Sequence, residues 1–149
     1  MMKALVFLEG VTLPYRGLNK KKIVQWAGKI GTALSYHSGT VAVILTDNHY
    51  MRNLNRTYRK KDRPTDVISF NYREEPFPET GAADDHLGDV YISLEKAGEQ
   101  AVLFGVDFSE EFKRLLTHGM LHLAGFDHEK SARDAKAMRS REDEILSAL

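Results

Sequence analysis

The stretch FKRLLTHGMLHLAGFDH, residues 112–128, decides how the rest of the chain is read. Phe112, Leu115, Leu116, Gly119, Met120 and Leu123 recur at i, i+3, i+4, i+7, i+8 and i+11. That is one apolar stripe at helical period, so the segment is expected to be a helix packed in the core. At about 100° per residue, His118 and His122 share a flank roughly 90–130° from the centre of the stripe. Leu121 falls nearly opposite the stripe, which predicts cover on a second side in the C-terminal half. Gly125, three residues past His122, suits the left-handed conformation that ends a helix. The chain then turns, and His128 can swing back to the flank that holds the other two imidazoles.

Working outward, 3–9 and 40–46 read as strands, the second apolar enough for a sheet interior. Between them, Ile23, Trp26, Ala27, Ile30 and Leu34 mark an amphipathic helix over 19–38. Asp47 or Asn48 is expected to cap a short helix with Tyr50, Met51, Leu54 and Tyr58 inward, interrupted by Pro64. Strands are expected at 65–72 and 87–93, with an exposed Pro- and Gly-bearing loop at 73–86 between them. A helix over 94–104 closes at Gly105. Asp107 and Glu110 have capping-box spacing ahead of the histidine helix. Ser131 is expected to cap a last helix with Met138, Ile145 and Leu146 on its inner face. The order β-α-β-α-β-β-α-α-α, two βαβ-like units and then a hairpin, predicts one mixed sheet of four strands with helices packed on it. No repeat or linker divides residues 1–149, so a single domain is expected.

Bulk composition narrows the function classes. There is no cysteine, which excludes disulfides and thiolate metal sites. No apolar run approaches the roughly eighteen residues a membrane span needs, and the N-terminus reads as a strand rather than a signal peptide. A cytoplasmic protein with no membrane association fits best. The net charge of zero hides an asymmetry. RNLNRTYRKKDR (52–63) has six basic residues and one acid, whereas REEPFPETGAADD (73–85) has five acids and one base. A basic face able to bind a polyanion is compatible with that pattern, and so is a solvated helix end.

His118, His122 and His128 form H-x3-H-x5-H with glycine at the turn, the ligand layout of metzincin proteases. Three neutral imidazoles are good zinc ligands and leave a fourth position open. One such histidine is more often a half-buried helix residue. Three at these offsets point to a metal, taken as one Zn2+ per chain, although imidazole also suits nickel and iron. His37, His49 and His86 show no such pattern and default to the surface. Metzincins place a glutamate general base directly after the first histidine. Here that position is Gly119, which argues against peptide hydrolysis.

Two blocks then identify a family resemblance. HGMLHLAGFDH resembles the H-G-x-L-H-L-x-G-Y-D-H motif of the YbeY family of bacterial rRNA maturation factors and endoribonucleases. LNRTYRKKDRPTDVISF (54–70) is similar to that family's L-N-x-x-Y-R-x-x-D-x-P-T-D-V-L-S-F block. LGDVYIS matches its L-G-D strand, and Met138, Glu142, Glu144, Ile145 and Leu146 fit its C-terminal pattern. The resemblance implies a single-domain α+β protein with a metzincin-like zinc helix and one zinc on His118, His122 and His128. It implies metal-dependent cleavage of single-stranded RNA, small-subunit rRNA 3′ end maturation and ribosome quality control. The implied partners are the ribosomal small subunit, ribosomal protein S11 and an Era-type GTPase. The family's functional arginine falls on Arg59. Phe126 stands where the family has Tyr, and Asn71 where Pro often follows the S-F pair, a change expected to touch only the loop start.

In mechanism, Arg59 is the group expected to stabilise charge growing on a phosphodiester. Arg56, Arg59, Lys60, Lys61 and Arg63 are candidates to track an RNA backbone. Tyr58 or Tyr72 is a candidate to stack a base, or else core. Asp127 is expected to orient an imidazole or to accept a proton. Two other readings compete: a ribosome-assembly binding factor with a structural metal, and a metallopeptidase-like hydrolase with its base supplied elsewhere.

Overall fold

In chain order the elements are β1 (Lys3–Leu8), α1 (Lys20–Ala33), β2 (Thr40–Thr46), α2 (Asn48–Arg59), β3 (Val67–Asn71), β4 (His86–Ser93), α3 (Leu94–Phe104), α4 (Phe108–Leu123) and α5 (Ala132–Leu146). This is the element order expected from the hydrophobic pattern. The computed structural model describes residues 1–61, 63, 65–72, 85–126 and 131–149. Asp127 and His128 therefore lie outside the described residues, as do Pro64 and 73–84 of the expected loop.

One mixed sheet runs in the order β1-β2-β4-β3. β1, β2 and β4 are parallel, and β3 pairs antiparallel with β4, Ser69 opposite Val90. The second βαβ-like unit expected from the sequence is thus not a parallel crossover between neighbours. β4 inserts beside β2 and leaves β3 on the edge. The residues account for this placement. β4 buries Leu87, Val90 and Ile92 in the main core, while VISFN is short, with two polar residues in five, and suits an edge.

The main core lies on one face of the sheet, where α1, α4 and α5 pack Ile23, Ile30, Phe112, Leu115, Met120 and Met138 against β2 and β4. Leu121 is fully buried despite lying off the apolar stripe, so α4 is covered on a second side. The opposite face carries a smaller cluster in which Met51 and Leu54 of α2 meet Ile68, with Phe70 and Tyr91 alongside.

Four helices begin with a side-chain cap. Asn19, Asp47, Ser93 and Ser131 accept from the backbone N–H of Lys22, Tyr50, Lys96 and Asp134. Asp107 departs from expectation, because its side chain makes no cap hydrogen bond to α4, and Glu110 faces Lys113 instead. α1 stops at Ala33 rather than running to 38, because Ser35 turns left-handed at φ 63°. α2 stops at Arg59, where Lys60 turns left-handed at φ 56°, before the proline is reached. His86 is part of β4 instead of a loop, and its ring meets Asp89 at 2.8 Å rather than solvent.

Candidate functional site

The site is built on α4. His118 and His122 are both half-buried on one flank, as their spacing requires. Their Nε2 atoms lie 3.2 Å apart, with the rings at 77°. Two imidazoles bound tetrahedrally at usual zinc–nitrogen lengths would place these atoms about 3.3 Å apart. The pair therefore fits a metal in spacing as well as in donor chemistry. His118 Nδ1 lies 3.0 Å from Glu142 Oε2 on α5. A proton held on Nδ1 by that carboxylate leaves Nε2 as a bare lone pair, the form a metal ligand requires.

Glu142 is itself held. Its other oxygen lies 3.9 Å from Arg114 Nη1. Arg114 makes two 2.7 Å bonds to the buried carboxylate of Glu111. Gln100 donates to Glu111 at 2.6 Å and to Asp66 at 3.3 Å. The bidentate bond to Glu111 raises the Arg114 pKa, against the opposing effect of burial. The chain of charges fixes one face of α4 to α5 and α3. Sequence reading placed Glu142 in a motif but gave it no role. The available signal was a carboxylate at 142 among Met138 and Ile145, on the buried face of α5.

The turn after α4 forms as expected. Gly125 has φ 96°, its N–H reaches His122 O, and Phe126 N–H reaches Leu121 O. That crossed pair is the Schellman arrangement, and it ends the helix just beyond His122. The third expected ligand, His128, and Asp127 follow this turn but fall outside the described residues. Among the described residues no cluster of three metal-ligating side chains occurs.

Strand β3 joins Arg59 to the histidine helix. Arg59 Nη2 donates to Ser69 O at 3.2 Å, and Ser69 Oγ donates to Gly119 O at 2.9 Å. One residue of β3 thus links the guanidinium to the backbone beside His118. Asn71 Nδ2 donates to Leu123 O at 2.9 Å. The expectation that Asn71 affects only the start of a loop is corrected: its side chain docks the C-terminal end of α4 on β3. Gly119 faces the sheet at close range, since a Cβ there would sit 2.5 Å from Val90 Cγ1 and 3.1 Å from Val67 Cγ2. The position has no room for the glutamate that a metzincin carries.

The basic residues Arg56, Arg59, Lys60, Lys61 and Arg63 are all exposed around the end of α2. Arg56 is steadied by Asn53 at 2.9 Å, and the carbonyl of Arg63 is held by Asn55 at 2.9 Å. Tyr58 points outward rather than inward, 57 % exposed, and rests edge-on against Phe70. Tyr72 is not free to stack. Its hydroxyl donates to Asp89 at 2.7 Å and its ring packs on His86. Burial, and then that bond, push the Tyr72 hydroxyl far above its usual pKa.

The family model described as Endoribonuclease YbeY matches residues 15–149. A protein of Aquifex aeolicus named Endoribonuclease YbeY is 43 % identical over 139 residues, covering 93 % of this chain and 89 % of its own. One of Carboxydothermus hydrogenoformans with the same name is 47 % identical over 112 residues, covering 75 % and 73 %. A solution structure from Thermotoga maritima superposes with a TM-score of 0.61 at 26 % identity, covering 95 % of this chain and 87 % of that one. Taken with the histidine helix and the arginine tied to it, these matches show that the chain belongs to the endoribonuclease YbeY family.

Proposed function

We propose that the protein is a zinc-dependent endoribonuclease that cuts single-stranded RNA and acts in small-subunit rRNA 3′ end maturation and ribosome quality control. Family membership supports the endoribonuclease role, a hydrolase of RNA phosphodiester bonds. The observation that carries the metal is the convergence of two Nε2 atoms at 3.2 Å, one backed by a buried carboxylate. His118 and His122 would hold the ion, with His128 as the third ligand that the motif supplies. Bound there, zinc provides Lewis acidity toward a phosphodiester oxygen.

The remaining work belongs to the chain's own groups. Arg59, anchored to Ser69 O, presents a planar fork to the non-bridging oxygens as negative charge grows on them. Arg56, Lys60, Lys61 and Arg63 hold the backbone of an extended strand by charge, so binding weakens with salt. Glu142 keeps the Nδ1 proton of His118 in place. Asp127 is assigned a positioning or proton-accepting role beside His128. The RNA-facing groups also suit the partners that the family implies, the small subunit with ribosomal protein S11 and an Era-type GTPase, in the cytoplasm. Among the described residues no helix is long and apolar enough to cross a membrane.

Zinc titration of metal-free protein and of its His118→Ala form tests the site. One tight equivalent in the parent, lost in the variant, is expected. Equal tight binding by both would remove His118 from the metal centre. The metallopeptidase reading loses ground because the base position is packed too closely on Val90 and Val67 for a glutamate. The binding-factor reading, in which the metal is structural, predicts that the parent cuts no RNA and that His122→Ala loses binding to ribosomal particles. Loss of cleavage in a His122→Ala protein that still binds those particles favours the enzyme.

A further inference from the structure

β1 forms one margin of the sheet, and among the described residues no strand pairs with its outer edge. Lys3 N–H donates to Gly39 O at 2.8 Å and Glu9 N–H to Leu45 O at 2.9 Å. In this parallel ladder, residues 3, 5, 7 and 9 therefore turn their backbone groups toward β2. Ala4, Val6 and Leu8 turn theirs outward, and among the described residues no loop, helix or side chain bonds to them. Edge strands are ordinarily blunted by bulges, proline or charge. β1 pairs regularly with β2 from Lys3 to Leu8, and Leu5, Phe7 and Leu8 are 46 %, 50 % and 43 % exposed. Beside it, an apolar groove of about 780 Å³ opens between β1 and α1, lined by Met2, Ala4, Leu5, Val24, Gly28 and Ala33.

We propose that this edge pairs with the same edge of a second copy of the chain, antiparallel about a two-fold axis at Val6, to form a continuous eight-stranded sheet. The strand is self-complementary in that register. Val6 meets Val6, and Ala4 meets Leu8, so the outward backbone groups of both copies bond to each other. On the same face, Leu8 of one copy falls beside Ala4 at the wall of the groove of the other. On the opposite face Leu5 meets Phe7, which covers both exposed side chains. At the two ends Lys3 faces Glu9, one opposite-charge pair at each. Moving the pairing by two positions sets Lys3 against Phe7, or Glu9 against Leu5, which disfavours the alternatives. A symmetric patch of this kind closes as a dimer and does not extend into a fibre.

The contact is small beside a standard interface of about 1,600 Å², so the dimer is weak and concentration-dependent. Sedimentation of the full chain, with no tag near β1, is expected to show monomer at about 5 μM and a substantial dimer fraction at about 500 μM. Lys3→Glu and Glu9→Lys each place two like-charge pairs in the interface and are each expected to weaken dimerisation about tenfold. The double variant Lys3→Glu/Glu9→Lys re-forms both pairs and is expected to return to the parent value within about threefold. Both side chains are exposed, and thermal midpoints show whether each variant keeps its fold. A parent that sediments as monomer throughout, or a double variant as weak as the single ones, overturns the proposal.

Discussion

At the scale of single residues, Gly119 joins packing to chemistry. The sequence shows a glycine inside an apolar stripe and at the position of a peptidase base, but not why a glycine stands there. The reason is the distance to Val90, Val67 and Ser69 across the helix–sheet contact. Gly119→Ala is predicted to lose about 1–3 kcal/mol of stability through overpacking, read as a lower urea midpoint at unchanged slope. Glu142 is the site residue that sequence reading missed. Its partner is twenty-four positions away, and no periodicity links a carboxylate on one helix to an imidazole on another. Glu142→Gln is predicted to weaken zinc binding about 10–100-fold, measured by competition with a chromophoric chelator. Zinc affinity unchanged by that substitution would free His118 of any dependence on the carboxylate.

At the scale of elements, α4 was the most legible part of the chain, because its period, its flanking histidines and its terminal glycine all agree. Gly125 at φ 96° lets the crossed hydrogen bonds close the helix. Gly125→Ala is predicted to cost about 1 kcal/mol and to fray the turn beyond His122, which amide exchange at Phe126 would reveal. Less legible was what holds α4 in place. The expected capping box at Asp107 does not form. The helix is fixed instead by Ser69 and Asn71 of β3, through bonds to Gly119 O and Leu123 O. Those are polar side chains on the inward side of an edge strand, and alternation alone would have assigned them to solvent. The same strand carries the Arg59 anchor, so loosening β3 is expected to disturb the arginine and the histidines together.

At the scale of the whole molecule, the element order followed from local pattern, whereas the strand order did not. Placing β4 between β2 and β3 depends on long-range pairing that no short window encodes. That arrangement also half-buries Tyr72 and Tyr91 on the far face. Burial, with Asp89 nearby, raises the Tyr91 hydroxyl to about 12, and Tyr72 is raised in the same direction. A folded pKa above the unfolded value of about 10 means that the folded state holds the proton more tightly. The contribution is therefore complete below about pH 10 and is lost as pH climbs toward the folded value. The thermal midpoint is predicted to fall above pH 10, less steeply in Tyr72→Phe. If the half-buried histidine pair holds the metal on which RNA cleavage depends, cleavage must follow the metal. Cleavage of a labelled single-stranded RNA is followed before chelation, after the metal is stripped, and after one equivalent of zinc is restored. Activity is expected to be lost on stripping and recovered with zinc in the parent, but not in His122→Ala. Undiminished cleavage by verified metal-free protein would contradict it.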